Sequence, residues 1–228
     1  MTQAPCYFKD FDPFLRNIQS QPGVAAGFVT RVPGIEVDTN REATVARLEP
    51  IHRQVVTTLG FDWENLQRAE QIHGDGIAIV QSGETGTVSA GVDGLMTADV
   101  GVCLGIYVAD CGAVYLSDSV KGAIALLHSG KKGTEANIIG KAIAMMQQHY
   151  GSDSRDIQAA LAPCIRPPAY EVDFASEIRK QATAAGILEH HFTDSGTCTS
   201  SDLETYYSYR LEKGNTGRML ALLGRNKK

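Results

Sequence analysis

A chain of 228 residues, 43% hydrophobic and 21% charged, is long enough to bury a core without staples. A formal net charge of -5 argues against a nucleic-acid or anionic-membrane surface, and no apolar run approaches membrane-spanning length. The start, "MTQAPCYFKDFDPF", lacks the basic and apolar stretches of a signal peptide. The scattered cysteines Cys6, Cys103, Cys111, Cys164 and Cys198 suit free thiols, so a cytoplasmic setting is expected.

In chain order, "AAGFVTRV" (25–32) reads as a strand. Val45, Leu48, Ile51, Val55 and Leu59 then mark one helical face that stops at Gly60, and Pro50 implies a kink or two short helices. "LQRAEQIHGDGIAIV" holds two strand-like runs flanking Asp75-Gly76, which predicts a hairpin with His73 close to its turn. Three strand-like runs follow at 102–109, 113–117 and 122–128. Ile138, Ile139, Ala142, Met145 and Met146 mark a helix with Thr134 as the expected N-cap. "IQAALAP" reads as a strand and "EVDFASEIRKQATAAG" as a helix ended by Gly186. With no repeat and no convincing linker, residues 1–228 are expected to form a single α+β domain: a mixed or antiparallel sheet with flanking helices.

The run from Val102 to Leu116 is interrupted by Asp110-Cys111-Gly112, although an unpaired carboxylate inside an apolar strand is costly. His73, Cys111 and His128 each sit at the end or interruption of a strand-like run. Catalytic zinc needs three protein ligands and an open position, and the ligands can come from distant strands. The same three residues also read as a small buried cysteine and two histidines near turns. In "HSGKKGT" (128–134), glycines bracket Lys131 and Lys132 before a helix start, where free N–H groups favour an anion; a solvated turn is the other reading. His52, His149, His190 and His191 read as structural or surface residues. The aromatic stretch "SSDLETYYSYR", ending at Arg210, reads as core or as a wall of a site.

Taken together, the chain resembles the laccase-domain proteins, also called YfiH-like or polyphenol oxidase-type. The resemblance rests on an ordered set: Gln71-Ile72-His73-Gly74, Asp93-Gly94-Leu95-Met96-Thr97, Ala109-Asp110-Cys111 and His128-Ser129-Gly130. Cys198-Thr199, Ser208-Tyr209-Arg210 and Thr216-Gly217-Arg218 complete it. It implies a YfiH-like, cysteine-hydrolase-like α+β fold. It also implies a metal triad of His73, Cys111 and His128, holding zinc, with copper possible. Asp110 would orient a ligand or handle a proton, completing a catalytic set of His73, Asp110, Cys111 and His128. The implied chemistry is on purine nucleosides: deamination of adenosine, and phosphorolysis of adenosine, inosine and methylthioadenosine. The expected partners are small molecules, a nucleoside and phosphate, rather than nucleic acid or membrane.

Two segments depart from the family pattern. Lys131-Lys132 stands where the family carries Trp-Arg, and Arg166 stands where it carries glycine, in a segment that has also lost a cysteine pair. Lys131 and Lys132, with Arg166 or Arg210 supplying a planar grip, are the expected anion-binding residues. The alternatives are a cysteine hydrolase using Cys111 with His128 or His73, a copper-dependent phenol oxidase, and a non-catalytic binding protein.

Overall fold

The computed structural model describes residues 7–9 and 12–226; Cys6 and most of the amino-terminal stretch read above lie outside them. The elements run α1 (Arg16–Gln19), β1 (Val24–Val29), α2 (Arg41–Thr58), β2 (Leu66–Ala69), β3 (Ile77–Ile79), β4 (Val88–Ser89), β5 (Gly94–Thr97) and β6 (Cys103–Val108). There follow β7 (Gly112–Asp118), β8 (Ala123–Ser129), α3 (Lys131–Glu135), α4 (Ile138–Tyr150), β9 (Ile157–Leu161), α5 (Phe174–Ala184), β10 (Phe192–Asp194) and β11 (Met219–Arg225). No helix among the described residues is long and apolar enough to cross a membrane.

The strands form two mixed sheets, ordered β1-β11-β6-β2-β4 and β10-β9-β7-β8-β5-β3. They pack face to face. Leu104, Ile106 and Val108 of β6 and Ala221 and Leu223 of β11 share one cluster with Tyr115 of β7 and Ile124 and Leu126 of β8. The alternate residues of the second sheet, Val114, Leu116, Ala125 and Leu127, bury against Ile139, Ile143 and Met146 of α4 and Ile178 of α5. Those of the first sheet, Cys103, Tyr107, Leu220 and Leu222, bury against Leu48, Val55 and Val56 of α2. The result is four layers, helix, sheet, sheet and helix. Both faces of β6, β7 and β8 are covered, so every residue in them is buried. Such strands read as continuous apolar runs without the alternation of a half-exposed sheet.

This layering corrects the reading of one sheet, and with it the hairpin at Asp75-Gly76. β2 pairs in parallel with β6 in the first sheet, while β3 pairs in parallel with β5 in the second. The chain between them is a crossing from sheet to sheet. β6 and β7 are likewise in different sheets, whereas β7 and β8 do form an antiparallel pair.

Two helix expectations also change. Helix α2 runs through Pro50 as one helix, so the alternative of two short helices is not formed. Pro50 and Ala46, whose carbonyl loses its partner, are both exposed, so water can take the missing bond while buried Leu48 and His52 hold the helix down. Asn40 caps this helix, its side chain accepting from the N–H of Ala43 at 2.9 Å. Asn137, not Thr134, caps α4: it takes φ 57° and accepts from Gly140 N at 3.2 Å. Thr134 is instead buried in α3, its hydroxyl 2.9 Å from that of Ser129.

Candidate active site

The chain passes from the first sheet to the second after β2, after β4 and after β6, and the first and last of these crossings build the site. The crossings after β2 and β6 turn on non-glycine residues in the left-handed region: Gln71 at φ 66°, His73 at 63° and Asp110 at 81°. Each such residue costs about 1–3 kcal/mol and persists only where its surroundings over-determine it. Here they do. The Gln71 side chain ties the first crossing to β6, its Nε2 donating to Tyr107 O at 2.5 Å and its Oε1 accepting from Tyr107 N at 3.0 Å. The Asp110 carboxylate accepts from the hydroxyls of Thr199 at 2.6 Å and Ser208 at 3.1 Å and from the N–H of Arg210 at 2.7 Å. Its carbonyl accepts from Ile165 N at 2.8 Å. Asp110 therefore anchors three loops, and the buried charge suspected in the sequence is fully partnered.

The crossings deliver His73 and Cys111 to one place, and His128, near the end of β8, completes it. The ligating atoms of the three residues all lie within 4.8 Å of one another, with the imidazole centroids 4.9 Å apart. His73 is exposed, Cys111 half-buried and His128 buried.

The carboxylate that orients a histidine is Asp93, not Asp110. Fully buried, its Oδ1 lies 2.7 Å from Nδ1 of His128 and accepts the N–H of His73 at 2.9 Å. Its Oδ2 accepts the N–H groups of Ile72 at 3.1 Å and Gly74 at 2.7 Å. An ionised carboxylate only accepts, so the proton sits on Nδ1 of His128 and Nε2 is left as the donor atom. Asp93 belongs to the Asp-Gly-Leu piece noted in the sequence, and its signal was there: an acid within an apolar run, as at Asp110.

Burial alone would push the Cys111 thiol up, but hydrogen bonds and charge from His128 and His73 hold it down at about 6. Burial would likewise discharge His128, yet Asp93 and the Cys111 thiolate raise it to about 9. Against its own burial, Asp93 is held below the usual carboxylate range by His128 and by the N–H groups of Gly74 and His73. A thiolate and two imidazoles on separate segments, one of them fixed by a buried carboxylate, fit a soft or borderline divalent ion such as zinc.

A cavity of about 740 Å³ opens over this group. Tyr107, Tyr170, Phe174 and Tyr209 give it aromatic walls; Arg41, Lys131, Lys132, Arg210, Lys213 and Arg218 give it charge. Lys131 and Lys132 reach it as exposed residues of the five-residue helix α3, not from a loop before a longer helix. Arg210 lines it while paired with Glu171 at 3.3 Å. Arg166 does not line it. Its guanidinium is committed to the Asp194 carboxylate and to Thr197 O, although its neighbour Ile165 lines the cavity. Arg41 and Arg218 were missed: Arg218 lay in the Thr-Gly-Arg piece without a role, and nothing marked Arg41 beyond its place at a helix start.

The family described as "Multi-copper polyphenol oxidoreductase laccase" matches residues 34–176 and 172–226. Purine nucleoside phosphorylase YlmD of Geobacillus stearothermophilus is 30% identical, over 76% of this chain and 77% of the relative. Purine nucleoside phosphorylase SACOL1200 of Staphylococcus aureus is 27% identical, over 90% and 92%. The crystal structure of YlmD from Geobacillus stearothermophilus superposes with a TM-score of 0.83 at 26% identity, covering 98% of this chain and 100% of that one. A Bacillus licheniformis protein called YfiH shares the fold, with a TM-score of 0.81 at 23% identity, covering 99% of this chain and 98% of its own.

Proposed function

Because this chain belongs to the family of multi-copper polyphenol oxidoreductase laccases, we propose that it is a zinc-dependent enzyme of purine nucleosides. In this reading it cleaves adenosine, inosine or methylthioadenosine with phosphate, and deaminates adenosine at the same centre. The relatives named purine nucleoside phosphorylase support the substrate class. The observation that carries the reading is the His73–Cys111–His128 group lining a cavity with aromatic walls and six cationic side chains. Aromatic faces suit a purine ring, and the cations suit a phosphate.

Zinc held by His73, Cys111 and His128 would supply Lewis-acid polarisation of water or of an electron-rich substrate atom. Asp93 keeps His128 in the tautomer that presents Nε2 and fixes the backbone carrying His73. In phosphorolysis a phosphate oxygen bonds to the sugar C1′ as the C1′–N9 bond breaks. The bonding pair leaves with the purine, which takes up a proton. Asp110 holds the cavity walls through Thr199, Ser208 and Arg210 and serves as a positioning residue. The four described cysteines are free, in keeping with a cytoplasmic setting.

The test is a nucleoside panel on metal-replete protein, with and without phosphate, scored for free base, ribose 1-phosphate and ammonia. Release of none of these products would reject the reading. One other reading has an observation behind it: the Cys111 sulfur lies within 4.8 Å of imidazole nitrogens of His128 and His73, an arrangement that also serves a cysteine hydrolase. A chelator separates the two, abolishing a zinc enzyme and sparing a thiol hydrolase. A copper cluster for phenol oxidation needs more ligands than the one His-Cys-His group found among the described residues.

A further inference from the structure

The six cations of the cavity fall into two kinds. Lys131, Lys132, Arg210 and Lys213 are exposed, and Arg210 already faces Glu171. Arg41 and Arg218 are half-buried, and among the described residues neither has a carboxylate within ion-pair distance. A half-buried guanidinium without an ion-pair partner is unusual, because its desolvation is only partly compensated. Here there are two in one cavity.

Their anchoring brings them to the same place. Arg41 opens α2, and its Nη2 lies 3.4 Å from Oε1 of Gln71, the side chain bonded to Tyr107 of β6. Arg218 directly precedes β11, which pairs with β6 so that Met219 stands opposite Val108. Both arginines are thus fixed to the end of β6 that leads into Asp110 and Cys111. Nη1 of Arg218 donates to the carbonyls of Thr216 at 3.3 Å and Gly217 at 2.8 Å, which orients the fork; Nε and Nη2 have no hydrogen-bond partner among the described residues. Burial, and then the charge of Arg41, hold the Arg218 guanidinium below its ordinary value, as a second cation in the same cavity does.

We infer that Arg41 and Arg218 form a two-sided clamp for a phosphate dianion, holding it beside the His73–Cys111–His128 group. A tetrahedral oxyanion accepts from two planar forks at once, which the lysines of α3 cannot offer. The clamp therefore supplies from α2 and β11 the planar grip that Lys132 lacks. The inference rests on the phosphorylase reading only for what the phosphate then does; the binding of the ion stands apart from it.

The experiment is calorimetric titration of inorganic phosphate into metal-loaded protein, comparing wild type, Arg41→Gln, Arg218→Gln, Arg218→Lys and, as a charge control, Lys180→Gln in α5, outside the cavity lining. Thermal unfolding and metal content establish that each variant is folded and loaded. Wild type is expected to bind one phosphate per chain, either glutamine variant to bind about tenfold more weakly or worse, and Arg218→Lys to fall between. Lys180→Gln should bind as wild type does. In turnover, KM for phosphate should rise by about the same factor while KM for the nucleoside changes by less than about threefold. Folded, loaded Arg41→Gln and Arg218→Gln proteins that bind phosphate as wild type does would overturn the clamp, as would a wild type that binds none. Phosphate held through these arginines in a protein that cleaves no nucleoside leaves the clamp standing and removes the functional reading. Phosphorolysis with an unchanged phosphate KM in both glutamine variants does the reverse.

Discussion

One oxygen of Asp93 holds His128 by its ring and His73 by its backbone: Oδ1 lies 2.7 Å from Nδ1 of His128 and 2.9 Å from the His73 amide nitrogen. A histidine of the crossing after β2 and one of β8 are thereby set by one buried carboxylate. Replacing Asp93 with Asn keeps the shape but loses the charge, and puts an N–H₂ where an acceptor is needed. Metal affinity, measured by competition with a chromogenic chelator, should fall about 10- to 100-fold, the usual cost of losing such a partner. An affinity equal to wild type would mean that the histidines are held by something else.

Cys111→Ser should lower metal content and turnover together, since an alcohol is a poorer ligand for zinc than a thiolate. Metal analysis beside the rate settles its role. Lost activity with metal content unchanged would mark Cys111 as a nucleophile.

Gly130 lies against the cysteine. A Cβ built on it would stand 2.5 Å from the Cys111 sulfur, closer than any real Cβ contact. Gly130→Ala should therefore displace the thiolate and cut metal affinity about as far as Asp93→Asn does, although its φ of -93° suits alanine. Retained affinity, with a crystal structure showing the sulfur unmoved, would contradict the packing described.

His52 gives the fold a dependence on acid. It is fully buried in α2, and burial drives its pKa down to about 3. In the unfolded chain it titrates near 6.5, so below that pH the unfolded state binds a proton that the folded state refuses. Stability should fall as pH drops from about 6.5 towards 3, at up to about 1.4 kcal/mol per pH unit from this group alone. Urea unfolding of wild type and His52→Phe across that range should show a shallower slope in the variant. Equal slopes would mean that His52 protonates freely in the folded state.

Much of this was readable in the sequence, for physical reasons that differ from element to element. The runs that became β6, β7 and β8 were plain as strands because they are buried on both faces. The same double burial removed the alternation that would have shown two stacked sheets. Asp75-Gly76 has hairpin chemistry but serves a crossing, since the turn is set by Gln71 and His73 at positive φ, which their residue types do not advertise. His73, Cys111 and His128 became a site through the family resemblance, because ligands from three separate strand ends leave no local spacing. Arg166 misled for the opposite reason. An arginine near a site in sequence is spent on Asp194, and only tertiary structure shows where its fork points.

The most direct test of the central claim is phosphate-dependent release of free purine from adenosine and inosine, measured on one preparation as purified, after exhaustive chelation, and after zinc is restored. A zinc centre at His73, Cys111 and His128 acting on purine nucleosides predicts release of the base with ribose 1-phosphate, its loss on chelation and its return with zinc. Undiminished release from fully metal-free protein would contradict the zinc assignment, and no release from zinc-replete protein would contradict the substrate.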